Sequence, residues 1–328
     1  MTATLRMPRA VVLDERDISG SGDTGLMRGS GDDYWRSRAG VPAVKGVLAP
    51  EAGSPGVAPL PAVADAQVDD DAPVRLARLP VGRAVADLVR HVWIPRWNLP
   101  PGVVVEQGVL EYPSTNLVIE AHGAALYGPE LGRGVQRLEG AGWAFGALLQ
   151  PGVARLLVPG SMRSLIGGSV SLDELRVMDA AAMTHDVRVA VASADDAGAL
   201  AAFEAWLIGQ HLELGEDARL VRRVVELAEE NRSILRADDL ADATGLGLRS
   251  LQRLVREQLG LTPKWLIRRY RMQEAAAALA GPDAPALADL AASLGFADQA
   301  HLTREFRAVI GETPRRYAEV ARAARDGS

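Results

Sequence analysis

The 328-residue sequence contains no cysteine and only two lysines. The absence of cysteine excludes disulfide frameworks, thiol catalysis, cysteine-based zinc fingers and iron–sulfur clusters. The five histidines are not spaced as in an H-E-x-x-H or H-x₃₋₅-H motif, so we expect no metal site. The sequence has no P-loop and no nucleophile elbow. We therefore expect no catalytic residues, no cofactor and no enzymatic activity.

The sequence also lacks a run of about 18 uncharged apolar residues, the length that a membrane-spanning helix needs. Its first residues contain no apolar segment of signal-peptide length ahead of the first acidic residues. We therefore expect a cytoplasmic protein with no membrane partner. Hydrophobic residues make up 48% of the chain and charged residues 24%, which excludes a fully disordered or fibrous protein.

Positive charge is concentrated in one short stretch, although the whole chain has a formal net charge of −6. Between residues 244 and 273 there are seven arginine or lysine residues and one acidic residue, Glu257. A local charge of +6 within 30 residues of an acidic protein indicates a surface that faces phosphate groups.

The composition divides the chain into four segments. We predict a mostly flexible tail at 1–75, a β-rich domain at 76–180, a helical connector at 181–215 and an all-α domain at 216–328. The predicted fold class is therefore α+β with two domains. The N-terminal domain is expected to resemble a sandwich or barrel, and the C-terminal domain to hold two helix-turn-helix units joined by a long helix.

Periodicity gives provisional bounds for the individual elements. In the β-rich domain we expect strands at 102–105, 116–119, 144–148 and 154–158, and a helical stretch at 80–91. In the all-α domain we expect helices near 217–231, 237–243, 248–259, 263–280, 286–294, 299–310 and 315–325.

The all-α segment contains two related units. The first reads DLADATG, a turn, and LQRLVREQLGLTPKWL; the second reads DLAASLG, a slightly longer turn, and LTREFRAVIGETPRRY. Each unit is a short helix, a glycine-containing turn and a second amphipathic helix, which is the sequence form of a helix-turn-helix. Gly245 and Gly295 suit the left-handed backbone that ends the first helix of each unit.

The outer faces of the two second helices carry side chains that suit DNA. Arginine can donate two hydrogen bonds to guanine, glutamine can pair with adenine, and serine, threonine or further arginines can contact phosphates. The predicted DNA-binding residues are Arg249, Ser250, Gln252, Arg253 and Arg256 in the first unit, Gln299, Thr303, Arg304 and Arg307 in the second, and Arg268 and Arg269 between them.

The helix that separates the units, at 263–280, has 18 residues and a length of roughly 27 Å at about 1.5 Å per residue. With packing offsets, such a helix can place two reading helices about one DNA turn apart, roughly 34 Å. One chain could therefore span two adjacent major grooves on one face of a duplex.

This layout resembles the DNA-binding domain of AraC/XylS-type transcription regulators over residues 236–318. The resemblance depends on the two repeated leucine-alanine pairs, the turn glycines, the two threonine-proline pairs and the run Thr313-Pro314-Arg315-Arg316-Tyr317. It implies double-stranded DNA as the partner, with RNA polymerase as a further one. It also implies that bases are read by Arg249, Gln252 and Arg253 in the first unit, and by Gln299, Thr303 and Arg304 in the second.

A second resemblance depends on four runs: Trp97–Pro100, Tyr112–Val118, Gly142–Gly146 and Gln150–Gly152. Through them, residues 80–175 resemble an uncharacterised β-rich domain that precedes this DNA-binding module in some bacterial regulators. In the wider family, this position holds an effector-sensing or dimerising domain. The resemblance implies no particular effector, and a homodimer stays an open alternative. Eight side chains suit either the wall of a ligand pocket or an ordinary core with turn residues: Trp93, Trp97, Tyr112, Asn116, His122, Tyr127, Trp143 and Phe145.

Three classes of function remain to be compared. The first is a sequence-specific DNA-binding transcription regulator, which the two units favour. The second is an enzyme with a DNA-binding tail; a repair methyltransferase of this kind would need an acceptor thiol, which the sequence lacks. The third is an adaptor whose helical module has lost DNA binding. It predicts neutral outer helix faces, whereas this sequence places arginines there.

Overall fold

The computed structural model describes residues 74–109 and 112–326. The predicted tail lies outside these residues, except for its last two positions, which belong to the first strand. The strands are β1 (Val74–Leu79), β2 (Val89–Asn98), β3 (Val104–Val109), β4 (Asn116–Glu120), β5 (Ala124–Tyr127), β6 (Gly134–Glu139), β7 (Ala141–Leu149) and β8 (Ser169–Ser171).

Six of these strands form one sheet in the order β1-β2-β7-β4-β5-β8, and every neighbouring pair is antiparallel. Strands β3 and β6 form a separate two-stranded ribbon. Strand β7 lies inside the sheet and is buried on both faces. Phe145 and Leu149 point into the N-terminal core, whereas Leu148 joins the core of the C-terminal helices. This double burial explains why β7 reads as a continuous apolar run rather than an alternating one.

Three helices belong to the N-terminal part: α1 (Ala154–Leu157), α2 (Ala180–Ala192) and α3 (Asp196–Gly209). Helices α2 and α3 form a hairpin whose buried side chains, among them Val187 and Phe203, share one core with the sheet. The rings of Phe203 and Phe145 lie 5.4 Å apart between centroids. The helices of the predicted connector therefore pack as part of the β-rich domain.

Two sequence-based expectations are wrong in this domain. The run at 154–158 is not a strand but contains α1, and the stretch at 80–91 is a turn at 83–88 followed by β2. Only one turn of helical hydrogen bonding forms there, with the Val89 amide donating to the Val85 carbonyl over 2.9 Å. Short apolar runs do not distinguish helix from strand by periodicity alone, because both need only a buried face.

The C-terminal helices agree with their predicted bounds to within one residue. They are α4 (Glu216–Glu230), α5 (Ala237–Thr244), α6 (Leu248–Leu259), α7 (Pro263–Ala280), α8 (Leu287–Ser293), α9 (Gln299–Ile310) and α10 (Pro314–Asp326). The Thr262 hydroxyl caps α7 by accepting the Trp265 amide over 3.2 Å, and Gly281 follows its last residue. Among the described residues, no helix is both long and apolar enough to cross a membrane.

The C-terminal helices bury two separate cores. Helices α4 to α7 enclose the first core, which also takes in Tyr112 and Leu148 of the N-terminal domain. The second core is formed by the end of α7 with α8, α9 and α10. The first helix-turn-helix unit is thus packed directly on the β-rich domain, and the two-domain α+β organisation is confirmed.

A matched pair of glycines tests this packing. Gly245 and Gly260 have similar left-handed backbones, with φ of +70° and +75°. A Cβ on Gly245 would have no neighbour within 4 Å, whereas one on Gly260 would lie 2.5 Å from the Met162 carbonyl oxygen in the N-terminal domain. We expect Gly245→Ala to lower the free energy of unfolding by about 1–2 kcal/mol from backbone strain. Gly260→Ala should cost about 1–3 kcal/mol more because of the clash.

Urea unfolding of the two full-length variants measures this difference. Equal losses for the two variants would contradict the close approach of the Met162 backbone to the end of α6.

Candidate nucleic-acid interface

The first helix-turn-helix unit exposes one face of α6 and buries the other. Asp239 fixes the start of the unit, because its carboxylate accepts the amides of Leu235 and Arg236 over 2.9 and 2.8 Å. Leu251 and Val255 of α6 are fully buried. The helix is thereby held in one rotation about its axis. All five predicted DNA-binding residues of this unit are exposed: Arg249, Ser250, Gln252, Arg253 and Arg256.

The second unit repeats this arrangement. The Asp298 carboxylate caps α9 by accepting the His301 amide over 2.6 Å, and Leu302 and Phe306 are fully buried. Gln299, Arg304 and Arg307 are exposed, as predicted for a contact surface. Thr303 is half-buried, and its hydroxyl donates to the Gln299 carbonyl over 2.8 Å. The Thr303 hydroxyl is therefore already used within α9, which leaves fewer polar groups for a ligand in this unit.

Two arginines occur in equivalent places in both units. Arg253 and Arg304 are separated by 51 positions, and so are Arg256 and Arg307. Each pair is exposed, and the members of a pair lie at the same distance from the glycine that ends their helix, Gly260 or Gly311. The repeat therefore preserves two cationic positions, one in the middle and one in the last turn of each second helix.

The two units are held together along α7. Arg268 pairs with Glu305 of α9, with 2.6 Å between Nε and the carboxylate oxygen. Arg271 donates to the Leu235 carbonyl of the first unit over 2.7 Å and lies over the Phe296 ring of the second, 5.6 Å from its centroid. Arg268 and Arg271 are three residues apart, so these contacts lie along one side of α7 and fix the second unit relative to the first.

The prediction that Arg269 contacts DNA phosphate does not fit its position. Its side chain is only 2% exposed, lies over the Trp265 ring and donates hydrogen bonds to the carbonyls of Glu130 and Gly132 in the N-terminal domain. Arg268, the other predicted phosphate contact on α7, is half-buried and engaged with Glu305. The reason is non-local, because the loop at 129–133 covers this face of α7 from a distance of more than 130 positions in the sequence.

A partly buried polar cluster joins the two domains. Arg90 of β2 makes two hydrogen bonds to Glu229 of α4, over 3.1 and 3.0 Å, and its guanidinium lies 4.6 Å above the centre of the Tyr112 ring. Burial alone would lower the pKa of Arg90, but the hydrogen bond and charge of Glu229 raise it. Burial raises the pKa of Tyr270, which belongs to α7 in the same cluster. Arg90 is therefore charged while Tyr270 stays neutral.

His91, next to Arg90 in β2, does not add a third charge to this region. Burial, together with the smaller effects of the neighbouring charges of Arg78 and Arg90, lowers the pKa of His91 to about 4. The imidazole is neutral near pH 7. A second contact between the domains lies at the surface, where Arg222 of α4 pairs with Asp87 over 2.8 Å.

The domain-joining residues have no signature in the sequence. Arg90, Glu229 and Arg269 resemble ordinary surface charges in the sequence, since nothing local indicates their partners. Three of the eight residues that suit a pocket wall, Trp97, Tyr112 and Phe145, are buried in hydrophobic cores. The Trp93 indole donates a hydrogen bond to the Asn116 side chain over 3.1 Å. His122 is exposed between β4 and β5. These positions fit the core and turn alternative.

Comparison with protein families identifies two segments of the chain. Residues 240–319 match the family described as Helix-turn-helix domain, and residues 78–171 match the Domain of unknown function (DUF6597). No curated protein matches this chain. The first match coincides with the two units described above, and the second with the sheet and the ribbon.

Several solved structures are similar. A transcriptional regulator with an AraC-type DNA-binding domain from Chromobacterium violaceum is 25% identical over 31% of this chain and 92% of its own, with a TM-score of 0.29. A probable AraC family transcriptional regulator from Rhodopseudomonas palustris is 28% identical over 32% of this chain and 97% of its own, with a TM-score of 0.27. ToxT from Vibrio cholerae is 10% identical over 75% of this chain and 97% of its own, with a TM-score of 0.38.

The paired units and the family match define a DNA-binding transcription regulator. Residues 240–319 form its helix-turn-helix domain, and residues 78–171 match the domain described as DUF6597.

The partly buried ion pair between the domains gives a second prediction. Arg90→Gln or Glu229→Gln should each lower the free energy of unfolding by about 1–3 kcal/mol, because either change removes a charge-assisted hydrogen bond and leaves its partner without a counter-charge. The double variant should lose less than the sum of the two. The exposed pair of Arg137 and Glu139, 3.8 Å apart, is the control, and its removal should cost about 0.5 kcal/mol or less.

Urea titrations of the full chain give these values. Additive losses for the Arg90 and Glu229 variants would show that the two side chains are not coupled.

Proposed function

We propose that this regulator recognises specific DNA sequences, with α6 and α9 reading base edges in adjacent major grooves of one duplex. The observation that carries the proposal is the repeated exposure of Arg253 and Arg304 on helices whose opposite faces are fully buried. A guanidinium at such a position can donate two parallel hydrogen bonds to guanine. Gln252 and Gln299, also exposed, can pair with adenine.

Phosphate contacts supply most of the affinity in this proposal. Arg256 and Arg307 occupy the last turns of the two reading helices and are assigned to the DNA backbone, together with Ser250. Each neutralised phosphate releases counterions, so binding should weaken steeply as salt is added. Arg268 takes a different role from the one its sequence suggests: it positions α9 through Glu305. Arg269 likewise holds the N-terminal domain on α7.

The N-terminal domain contacts the helices on which α6 and α9 pack. It contacts α4 through Arg90 and α7 through Arg269, and shares the core of the first unit through Tyr112 and Leu148. An effector can change DNA affinity only if it binds two states of the chain unequally. We infer that a small-molecule effector of the N-terminal domain would act by shifting these contacts. RNA polymerase is the further partner proposed for the DNA-bound chain.

Self-association is assigned to the hairpin of α2 and α3. Val189 of α2 is 54% exposed and Ile208 of α3 is 50% exposed. Helix α3 is apolar nearly all round, a composition typical of helices covered on both sides. A homodimer that packs this hairpin against its copy would cover the exposed apolar side chains.

Base reading is tested by Arg253→Ala and Arg304→Ala, with Arg223→Ala, an exposed arginine of α4, as the control. On a duplex selected from random DNA by the full chain, each reading-helix variant should lose about 1–3 kcal/mol of binding free energy. Selectivity should relax at one base pair for each variant, because one pair of hydrogen bonds is lost. Titrations against the selected duplex and its single-base variants provide the measurement. Equal losses on selected and random DNA would refute base reading.

Dimerisation is tested by Val189→Glu combined with Ile208→Glu, since burying two new charges in an apolar interface is unfavourable. Sedimentation of the full chain should show a dimer that the double variant converts to monomer. Ala288→Glu, at an exposed position of α8, should leave the dimer intact. A monomeric wild-type chain would refute the proposal.

A further inference from the structure

The N-terminal domain presents an arginine next to the end of the first reading helix. A 3₁₀ turn at Met162–Leu165 follows α1 and is anchored by two buried side chains, Met162 and Leu165. The Ser161 hydroxyl accepts the Arg163 amide over 3.2 Å, and the Ser164 hydroxyl donates to the Ser161 carbonyl over 2.7 Å. These hydrogen bonds hold the backbone of the turn, while the Arg163 side chain is exposed.

The turn lies against the C-terminal end of α6. Gly260 ends this helix with φ of +75°, and its amide donates to the Arg256 carbonyl over 2.9 Å. A Cβ on Gly260 would lie 2.5 Å from the Met162 carbonyl oxygen and 3.0 Å from the Cα of Arg163. Only a glycine fits between the two backbones. Arg163 is therefore fixed in place beside the reading helix, although it belongs to the other domain.

Two further exposed cations lie close to Gly260. Arg256 is four residues before it, about one helical turn, and Lys264 is four residues after it in the first turn of α7. Glu257, the one acidic residue between 244 and 273, lines a cleft with Asp217 of α4 and with Ser250 and Arg253 of α6. Three exposed cations from two domains thus flank one end of α6.

DNA backbone is the ligand that fits this group. A reading helix in the major groove is bordered by phosphates on both sides, and its end leaves the groove past one of these rows. The cations at that end meet a row of negative charges and no base edges. We propose that Arg163 contacts a DNA phosphate next to those bound by Arg256 and Lys264, so that the N-terminal domain is itself part of the DNA-binding surface.

This inference rests on the proposed function, because it needs α6 in the major groove. It adds that the N-terminal domain stays docked on the first unit when DNA is bound. The contribution of Arg163 to DNA affinity is independent of base sequence, since Arg163 contacts phosphate only.

The test compares Arg163→Ala and Arg163→Lys in the full chain with Arg83→Ala, an exposed arginine of the same domain near α3. The slope of log affinity against log salt is measured on the selected duplex and on a random one. For Arg163→Ala we expect the slope to fall by about 0.9 on both duplexes, the value for one lost phosphate contact. Arg163→Lys should retain the slope because it retains the charge, and Arg83→Ala should match the wild type.

The outcomes separate this inference from the proposed function. A wild-type chain that binds selected and random duplexes equally would refute the proposed function. A wild-type chain that discriminates, with Arg163→Ala unchanged in slope and affinity, would refute the Arg163 contact alone. If Arg163→Ala lowers the salt slope and Arg163→Lys does not retain the wild-type value, the Arg163 contact is also refuted. The effect would then come from a changed shape of the turn and not from the lost charge.

Discussion

The burial of α7 against the N-terminal domain is the constraint on which the rest of the structure depends. Arg269, Trp265 and the loop at 129–133 hold one side of this helix, while Tyr112 and Leu148 extend the core on which α4 to α7 pack. Because α7 also carries both helix-turn-helix units, its position sets where each reading helix points. The contacts that dock the two domains therefore also set the orientation of α6 and α9.

The C-terminal helices could be predicted almost to the residue because their signals are local. Thr262 caps α7, Gly281 follows its end, and leucines recur at helical spacing in both units. The run at 154–158 and the stretch at 80–91 were wrong because a short apolar segment can be buried in either conformation. Exposure of the reading faces followed from the same periodicity, since burying one face of an amphipathic helix leaves the other at the surface.

The limits of the sequence are clearest at Arg268 and Arg269. These adjacent arginines lie in the most basic stretch of an acidic chain, so phosphate contact was the natural expectation. The structure pairs Arg268 with Glu305 and buries Arg269 under carbonyl groups of a loop more than 130 positions away. Local charge density in the sequence indicates a basic surface. Only the tertiary contacts decide which of its cations remain available to bind phosphate.

The two units are supported unequally. The first shares its core with the sheet, whereas the second has a core of its own and contacts the first mainly through Arg271, Leu235 and Gly295. Changes in the second unit can therefore be absorbed without disturbing the sheet. Substitutions in α9 should therefore disturb the rest of the chain less than substitutions in α6.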